Sequence, residues 1–192
     1  MHGNRANAAG LGLQRRRATS ATAKKEIPYW EGGDPPSGGR VVYAAFRCNP
    51  EGVATDYDRA CDMLSRWLGL VDVGSSWGLV LGGEPTYTTW CVPEPGGNGM
   101  LARIIWADED DDLRLALSGI PDDIWTPDNL QLTVLKREWY LFDAALHGRR
   151  VFVQPGTVKI ELPPGTYSIQ SAEHRPDQST YLLLHRFVRV EG

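Results

Sequence analysis

The stretch Leu79-Val80-Leu81-Gly82-Gly83-Glu84-Pro85-Thr86-Tyr87-Thr88-Thr89-Trp90 reads as strand, sharp turn, strand. Leu79 to Leu81 is a short apolar run bounded by glycine. Gly82-Gly83 gives the backbone access to positive φ, and Pro85 fixes the exit from the bend. Residues 86–92 resume with β-branched and aromatic side chains, the composition that suits a half-buried pleated surface. Glu84 is the single charge at the bend, which makes it either a binding residue or a solvated turn carboxylate.

The same grammar recurs on both sides. Val41 to Phe46 reads as a first strand, ended by the turn Asn49-Pro50-Glu51-Gly52. Leu70 to Val73 and Gly78 to Leu81 are two strands joined by Gly74-Ser75-Ser76-Trp77. Trp90-Cys91-Val92 and Met100 to Trp106 flank the loop Pro95-Gly96-Gly97-Asn98-Gly99. Leu130 to Leu135 and Trp139 to Phe142 flank a charged turn, Lys136-Arg137-Glu138, and Asp143 to Gly148 ends that pattern. Val158-Lys159-Ile160-Glu161-Leu162 and Tyr167-Ser168-Ile169-Gln170 alternate apolar and polar residues around Pro163-Pro164-Gly165-Thr166. With Pro164 at i+1 and Gly165 at i+2, that tetrad predicts a type II turn and a hairpin. Thr180 to Val190 reads as a closing strand.

Two short helices complete the expectation. Thr55 or Asp56 can cap the first, Tyr57, Cys61, Leu64 and Leu68 mark its apolar face, and Gly69 closes it, with Asp62 and Arg66 as an i,i+4 pair. The second follows Asp108. The fold class expected is α+β, a mainly antiparallel β-sheet with two short helices in a single domain.

Ahead of the strands, residues 1–37 read as a disordered basic tail and a Gly/Pro-rich entry loop, and residues 38–192 as the β-rich domain. Met1 to Ala23 lacks acids and any sustained apolar period. Arg15-Arg16-Arg17 is not followed by the apolar segment of an export signal, so no targeting role is assigned to it.

No run of apolar residues is long enough for a membrane span. Cys48, Cys61 and Cys91 are odd in number and far apart, which indicates reduced thiols in a cytoplasm rather than a disulfide framework or a zinc knuckle. The formal charge of −4 hides a split, because residues 1–26 are basic and the acids concentrate in the remainder. An acidic body disfavours nucleic acid and suits a basic protein partner.

The search for catalytic groups yields no constellation. The four histidines, His2, His147, His174 and His185, share no metal-ligand spacing, and His185 reads as a partly buried strand residue. No phosphate-binding loop or nucleophile elbow is present. Glu84, Asp72 and Asp143 are isolated acids that could pair in space as a hydrolytic dyad, the alternative kept open here. No cofactor, metal or catalytic residue is assigned.

Asp108-Glu109-Asp110-Asp111-Asp112 is the sharpest charge run, placed on the first turn of the second helix. Carboxylates there gain about 0.3–1 kcal/mol each from the helix dipole. Five in a row exceeds what capping needs, and a basic partner is the second reading. A calcium loop does not fit, since the D-x-D-x-D-G spacing and its closing Glu are missing. Trp125 lies in a following loop, as an interface anchor or as a lid on the core.

The order of several motifs carries a resemblance. Asp56-Tyr57-Asp58-Arg59-Ala60-Cys61-Asp62, Gly69-Leu70-Val71, and Leu79 to Pro85 with Thr88-Thr89 are followed by Trp106-Ala107-Asp108, Leu141 to Ala145 and Leu162-Pro163-Pro164-Gly165-Thr166-Tyr167. This set resembles the immunity protein 21 family of bacterial polymorphic-toxin systems over roughly residues 38–190. The resemblance implies a small cytoplasmic protein that binds and neutralises a cognate toxin domain and has no catalysis of its own. A β-rich adaptor for another protein is the alternative binding role. On the toxin reading, Asp108, Glu109, Asp110, Asp111, Asp112 and Trp125 are the expected partner-binding residues, while Gly82-Gly83-Glu84-Pro85 and Pro164-Gly165 are structural bends. Glu84 is then expected to bond backbone N–H groups at a turn that sets two strands in register.

Overall fold

The computed structural model describes residues 18–34, 54–83, 87–92, 99–108 and 113–190. Within them, ten strands form two five-stranded sheets in which every pairing is antiparallel. The first sheet holds β1 (Ala18–Ala23), β2 (Leu68–Val73), β3 (Ser76–Gly82), β7 (Glu138–Asp143) and β8 (Val158–Glu161), in the order β2-β3-β1-β7-β8. The second holds β4 (Thr88–Cys91), β5 (Met100–Trp106), β6 (Thr126–Val134), β9 (Gly165–His174) and β10 (Tyr181–Arg189), in the order β4-β5-β10-β9-β6. Few and short helices accompany them, so the expected α+β, mainly antiparallel class holds.

Period-two alternation divides each strand between two apolar layers. Leu79, Leu81, Trp139, Leu141 and Ile160 of the first sheet meet Leu101, Leu132, Tyr167, Ile169 and Phe187 of the second, and this sandwich interior is the main core. The opposite residues of the first sheet, Val71, Val80 and Phe142, pack under the helix α1 (Asp56–Asp62) and the 3-10 turns at Ile27–Tyr29 and Gly148–Val153. Trp30 is fully buried there and its indole donates to the Ala144 carbonyl at 2.9 Å. Outward-facing residues of the second sheet, Met100, Ala102, Ala172, Leu182 and Leu184, lie under the chain from Ala116 to Trp125.

The first correction concerns the N-terminal region. Ala18–Ala23, expected to be disordered, is the middle strand of the first sheet, paired with β3 on one side and β7 on the other. Ordered structure therefore begins well before residue 38. The physical reason is volume: Ala21 and Ala23 are buried between Leu79, Leu81, Trp139 and Leu141, whose bulk supplies the apolar contacts that small residues lack. Val41 to Phe46 lies outside the described residues.

The second correction concerns the bends. β3 and β4, read as one strand-turn-strand unit, lie in different sheets, so the Gly82-Gly83 bend does not set them in register. Gly82 ends β3 in a buried position, and Gly83 turns the chain with φ +101°. Glu84 and Pro85 lie outside the described residues. The expected hairpin of Val158–Leu162 with Tyr167–Gln170 is likewise a crossing, because β8 pairs with β7 whereas β9 pairs with β6 and β10. Gly165 has φ +155°, far from the value of about +80° that a type II turn requires. The corner is held instead by Tyr167, whose hydroxyl donates to the Pro163 carbonyl at 2.7 Å, and by Arg189, which donates to the Pro164 carbonyl at 3.2 Å. β6 and β7 also belong to different sheets, so the chain crosses three times.

The helix α1 starts where expected. Thr55 and Asp58 form a reciprocal capping box, Thr55 Oγ1 accepting from the Asp58 N–H and Asp58 Oδ2 from the Thr55 N–H. It ends at Asp62 rather than near Gly69, since Arg66 takes φ +59° and Leu68 already belongs to β2. Arg66 then faces Glu173, at 4.0 Å.

Candidate partner-binding face

β5 leads into the acidic run in sequence, and beyond it the chain from Ala116 to Trp125, a strap, crosses the outer face of the second sheet before re-entering it as β6. The run and the strap carry the residues expected to bind a partner. Asp108 is exposed at the start of the run. Glu109, Asp110, Asp111 and Asp112 lie outside the described residues. The helix that follows, α2 (Leu113–Ala116), is a single turn, shorter than the capping argument expects. Ala116 is buried, its carbonyl is within 2.9 Å of His174 Nε2, and Ser118 closes the turn by donating to the Leu115 carbonyl at 2.7 Å.

The strap ends in a 3-10 turn at Asp122–Ile124 that leaves Asp122 and Asp123 in solvent and directs Ile124 and Trp125 to the sheet. Trp125 is half-buried, and the guanidinium of Arg186 lies 4.3 Å from its ring centroid. Arg186 is held there by a 2.7 Å bond from Nε to Gln170 Oε1, with the Asp122 carboxylate 3.4 Å away. Trp125 is thus a lid on the core with one edge at the surface. Trp125 lines a groove of about 510 Å³ together with Met100, Ile120, Val188, Asp122 and Arg186.

Below the strap's return is a polar chain inside the sandwich. Pro127 to Gln131 forms an irregularity in the β6–β9 pairing, with Asn129 at φ +54°, and this places Asp128 against Ser171. Ser171 Oγ donates to Asp128 Oδ2 at 2.6 Å and is 2.7 Å from His185 Nδ1. With the one hydroxyl proton committed to Asp128, Nδ1 of His185 carries the hydrogen in that contact. His185 is fully buried rather than partly so. Burial lowers its pKa to about 3, with the charge of Arg103 adding to the effect. Burial raises the Asp128 carboxyl, opposed by the Ser171 bond and by Arg66.

Serine stands between acid and imidazole here, so the acid cannot orient the imidazole as a base, and Ser171 itself is only 4% exposed. Of the acids that sequence left open as a dyad, Asp143 accepts from the Ala145 N–H at 3.0 Å and Asp72 pairs with Arg59, while Glu84 lies outside the described residues. Among the described residues, no three His, Cys, Asp or Glu side chains are arranged to hold a metal ion. No helix among them is long and apolar enough to cross a membrane.

One exposed feature was invisible in the sequence. Trp106 and Tyr181 meet edge to face with centroids 4.5 Å apart, and Arg175 lies 4.1 Å from the Tyr181 ring and 5.2 Å from that of Trp106. A register shift between β5 and β10 sets Trp106 opposite Tyr181. The three residues come from two strands and a loop, and no local pattern marks them.

Neither curated proteins nor solved structures yield a match. The family model of Immunity protein 21 matches residues 27–180, which span α1, both sheets apart from β1 and β10, and the whole acidic run. By that match the chain belongs to the immunity protein 21 family.

Proposed function

We propose that this chain is a bacterial immunity protein that binds a cognate polymorphic toxin domain in the cytoplasm of the producing cell and blocks its active site without catalysis. Family membership carries the reading. The acids of this region support a basic partner: Asp108 is exposed at the end of β5, the run Glu109-Asp110-Asp111-Asp112 follows it in sequence, and Asp122 and Asp123 are exposed beside Trp125 and a groove that offers apolar surface. Complementary charge speeds encounter, while buried aromatic contact slows dissociation. The Asp128–Ser171–His185 chain, with its serine and histidine buried and in the wrong order for nucleophilic attack, favours binding over hydrolysis.

The test is co-expression with the toxin domain encoded beside it. Restored growth and co-purification of the two proteins are expected. Continued killing with no co-purification would overturn the proposal.

A further inference from the structure

The acids account for attraction to a basic surface, but they leave the Trp106–Tyr181–Arg175 stack without a role. Trp106 is 47% exposed, and Arg175 is exposed above both rings. Among the described residues Arg175 makes no ion pair, and its guanidinium hydrogen-bonds the Tyr181 hydroxyl, which leaves its remaining donors for a partner. The neighbouring acid, Glu173, is occupied: it accepts from the Tyr181 hydroxyl at 2.9 Å and faces Arg66 at 4.0 Å. A guanidinium stacked on rings keeps its donor fork in the plane, ready for a carboxylate.

The loop that presents Arg175 is also fixed in advance. Asp177 Oδ1 accepts from the N–H groups of Ser179 and Thr180 at 2.8 and 2.7 Å and from Ser179 Oγ at 3.0 Å, closing the connection between β9 and β10. The ordering cost of that loop is therefore met before any partner arrives. Trp106 also lines a cleft of about 770 Å³ between the sheets, together with Thr19, Leu141, Ile104 and Ile105, so the indole adjoins accessible apolar surface.

Resting on the immunity reading, we infer that Arg175, held on Trp106 and Tyr181, is the slow-dissociating anchor of the interface and receives an Asp or Glu side chain of the toxin domain. The argument is charge complementarity on a rigid platform. Asp108 follows Trp106 by two residues, so the surface presents both signs in close succession. A uniformly basic partner would gain at the acids and be repelled at Arg175, whereas a basic partner with one well-placed carboxylate satisfies both. Trp, Tyr and Arg are also the residue types that most often dominate interface energetics.

The experiment measures association and dissociation rates of the full chain with an active-site-inactivated form of the toxin domain encoded beside it. Arg175→Gln is expected to raise the off-rate about tenfold while changing the on-rate less than about twofold. Arg175→Lys, which keeps the charge and loses the planar fork, should resemble Arg175→Gln rather than wild type. Arg149→Gln, at another exposed arginine, should change neither rate. Arg175→Glu should bind more weakly still and be rescued by an acid-to-Lys substitution on the toxin domain. An unchanged off-rate for Arg175→Gln, or tighter binding by Arg175→Glu, would sink the anchor while leaving the immunity reading intact. Failure of the wild-type chain to bind at all would overturn the immunity reading and the anchor with it.

Discussion

Arg103, on β5 of the second sheet, donates from Nη1 to the carbonyl oxygen of Gly82, the last residue of β3 in the first sheet, at 2.6 Å. The bond ties the two sheets together where the chain crosses between them. Arg103 is 1% exposed, and burial lowers its pKa to about 10, so the guanidinium remains charged at neutral pH inside the sandwich.

Truncating that side chain leaves the Gly82 carbonyl without its charged donor and opens a cavity. Arg103→Ala is expected to cost about 2–4 kcal/mol. Arg103→Met, which keeps most of the volume, should recover part of the loss. Urea midpoints at constant m-value check this, and a wild-type midpoint in Arg103→Ala would show that the bond contributes nothing.

His185 predicts an acid limb. Its folded pKa of about 3 lies below the ordinary 6.5, so between those values the unfolded chain binds more protons than the folded one. Stability therefore falls as pH falls through this window. His185→Gln keeps a partner for Ser171 and removes the titration, so its stability should decline less steeply between about pH 6.5 and 5. Asp128, raised by burial, acts in the opposite sense at lower pH, which makes the upper part of the window the informative one. Parallel slopes for the two proteins would refute the assignment.

Glu26 acts as a latch on the β2–β3 turn. Its carboxylate is 2% exposed, bonds the Ser75 N–H and Oγ at 3.0 Å each, and pairs with Lys25 at 2.8 Å. The Lys25 bond, followed by those from Ser75, holds its pKa below 4.5 against the opposing effect of burial. The stabilisation is present above pH 4.5 and is lost as pH falls through the folded value. Glu26→Gln should be less stable than wild type by about 2 kcal/mol at pH 7, with the gap closing in acid. Thermal or urea unfolding as a function of pH reads it directly.

The acidic run makes a kinetic prediction. Replacing Asp108, Glu109, Asp110, Asp111 and Asp112 with Asn and Ser should slow association with the toxin domain and flatten its dependence on salt. An on-rate unchanged at low ionic strength would remove the run from the interface.

Element identity was legible where side chains are large and alternate. Met100–Trp106 is predicted with its observed bounds, and the Thr55 cap starts α1 as read. Sheet membership was not legible. Gly82-Gly83 and Pro163-Pro164 announce sharp bends, but a bend that returns a strand along its neighbour and one that sends it to a facing sheet use the same residues. What separates them is distant: Tyr167 holding Pro163, and Arg103 holding Gly82. β1 escaped for another reason, since Ala-Thr-Ser-Ala-Thr-Ala offers no hydrophobic contrast for alternation to reveal. At the candidate site the acids stood out because they are contiguous, whereas the Arg175 stack is assembled only by the fold.

The central place of β1 bears on how the protein is made. β1 is synthesised before the other strands of its sheet. Its partner β3 follows within some tens of residues, but β7, opposite Thr19 at Asp143, arrives about 120 residues later. At synthesis rates of about 5–20 residues per second, the open edge of β1 waits roughly 6–24 s for its second neighbour. Small, polar Thr and Ser side chains make that waiting edge a poor template for adhesive strand pairing, so the composition that hides β1 from a reader of the sequence also protects the nascent chain.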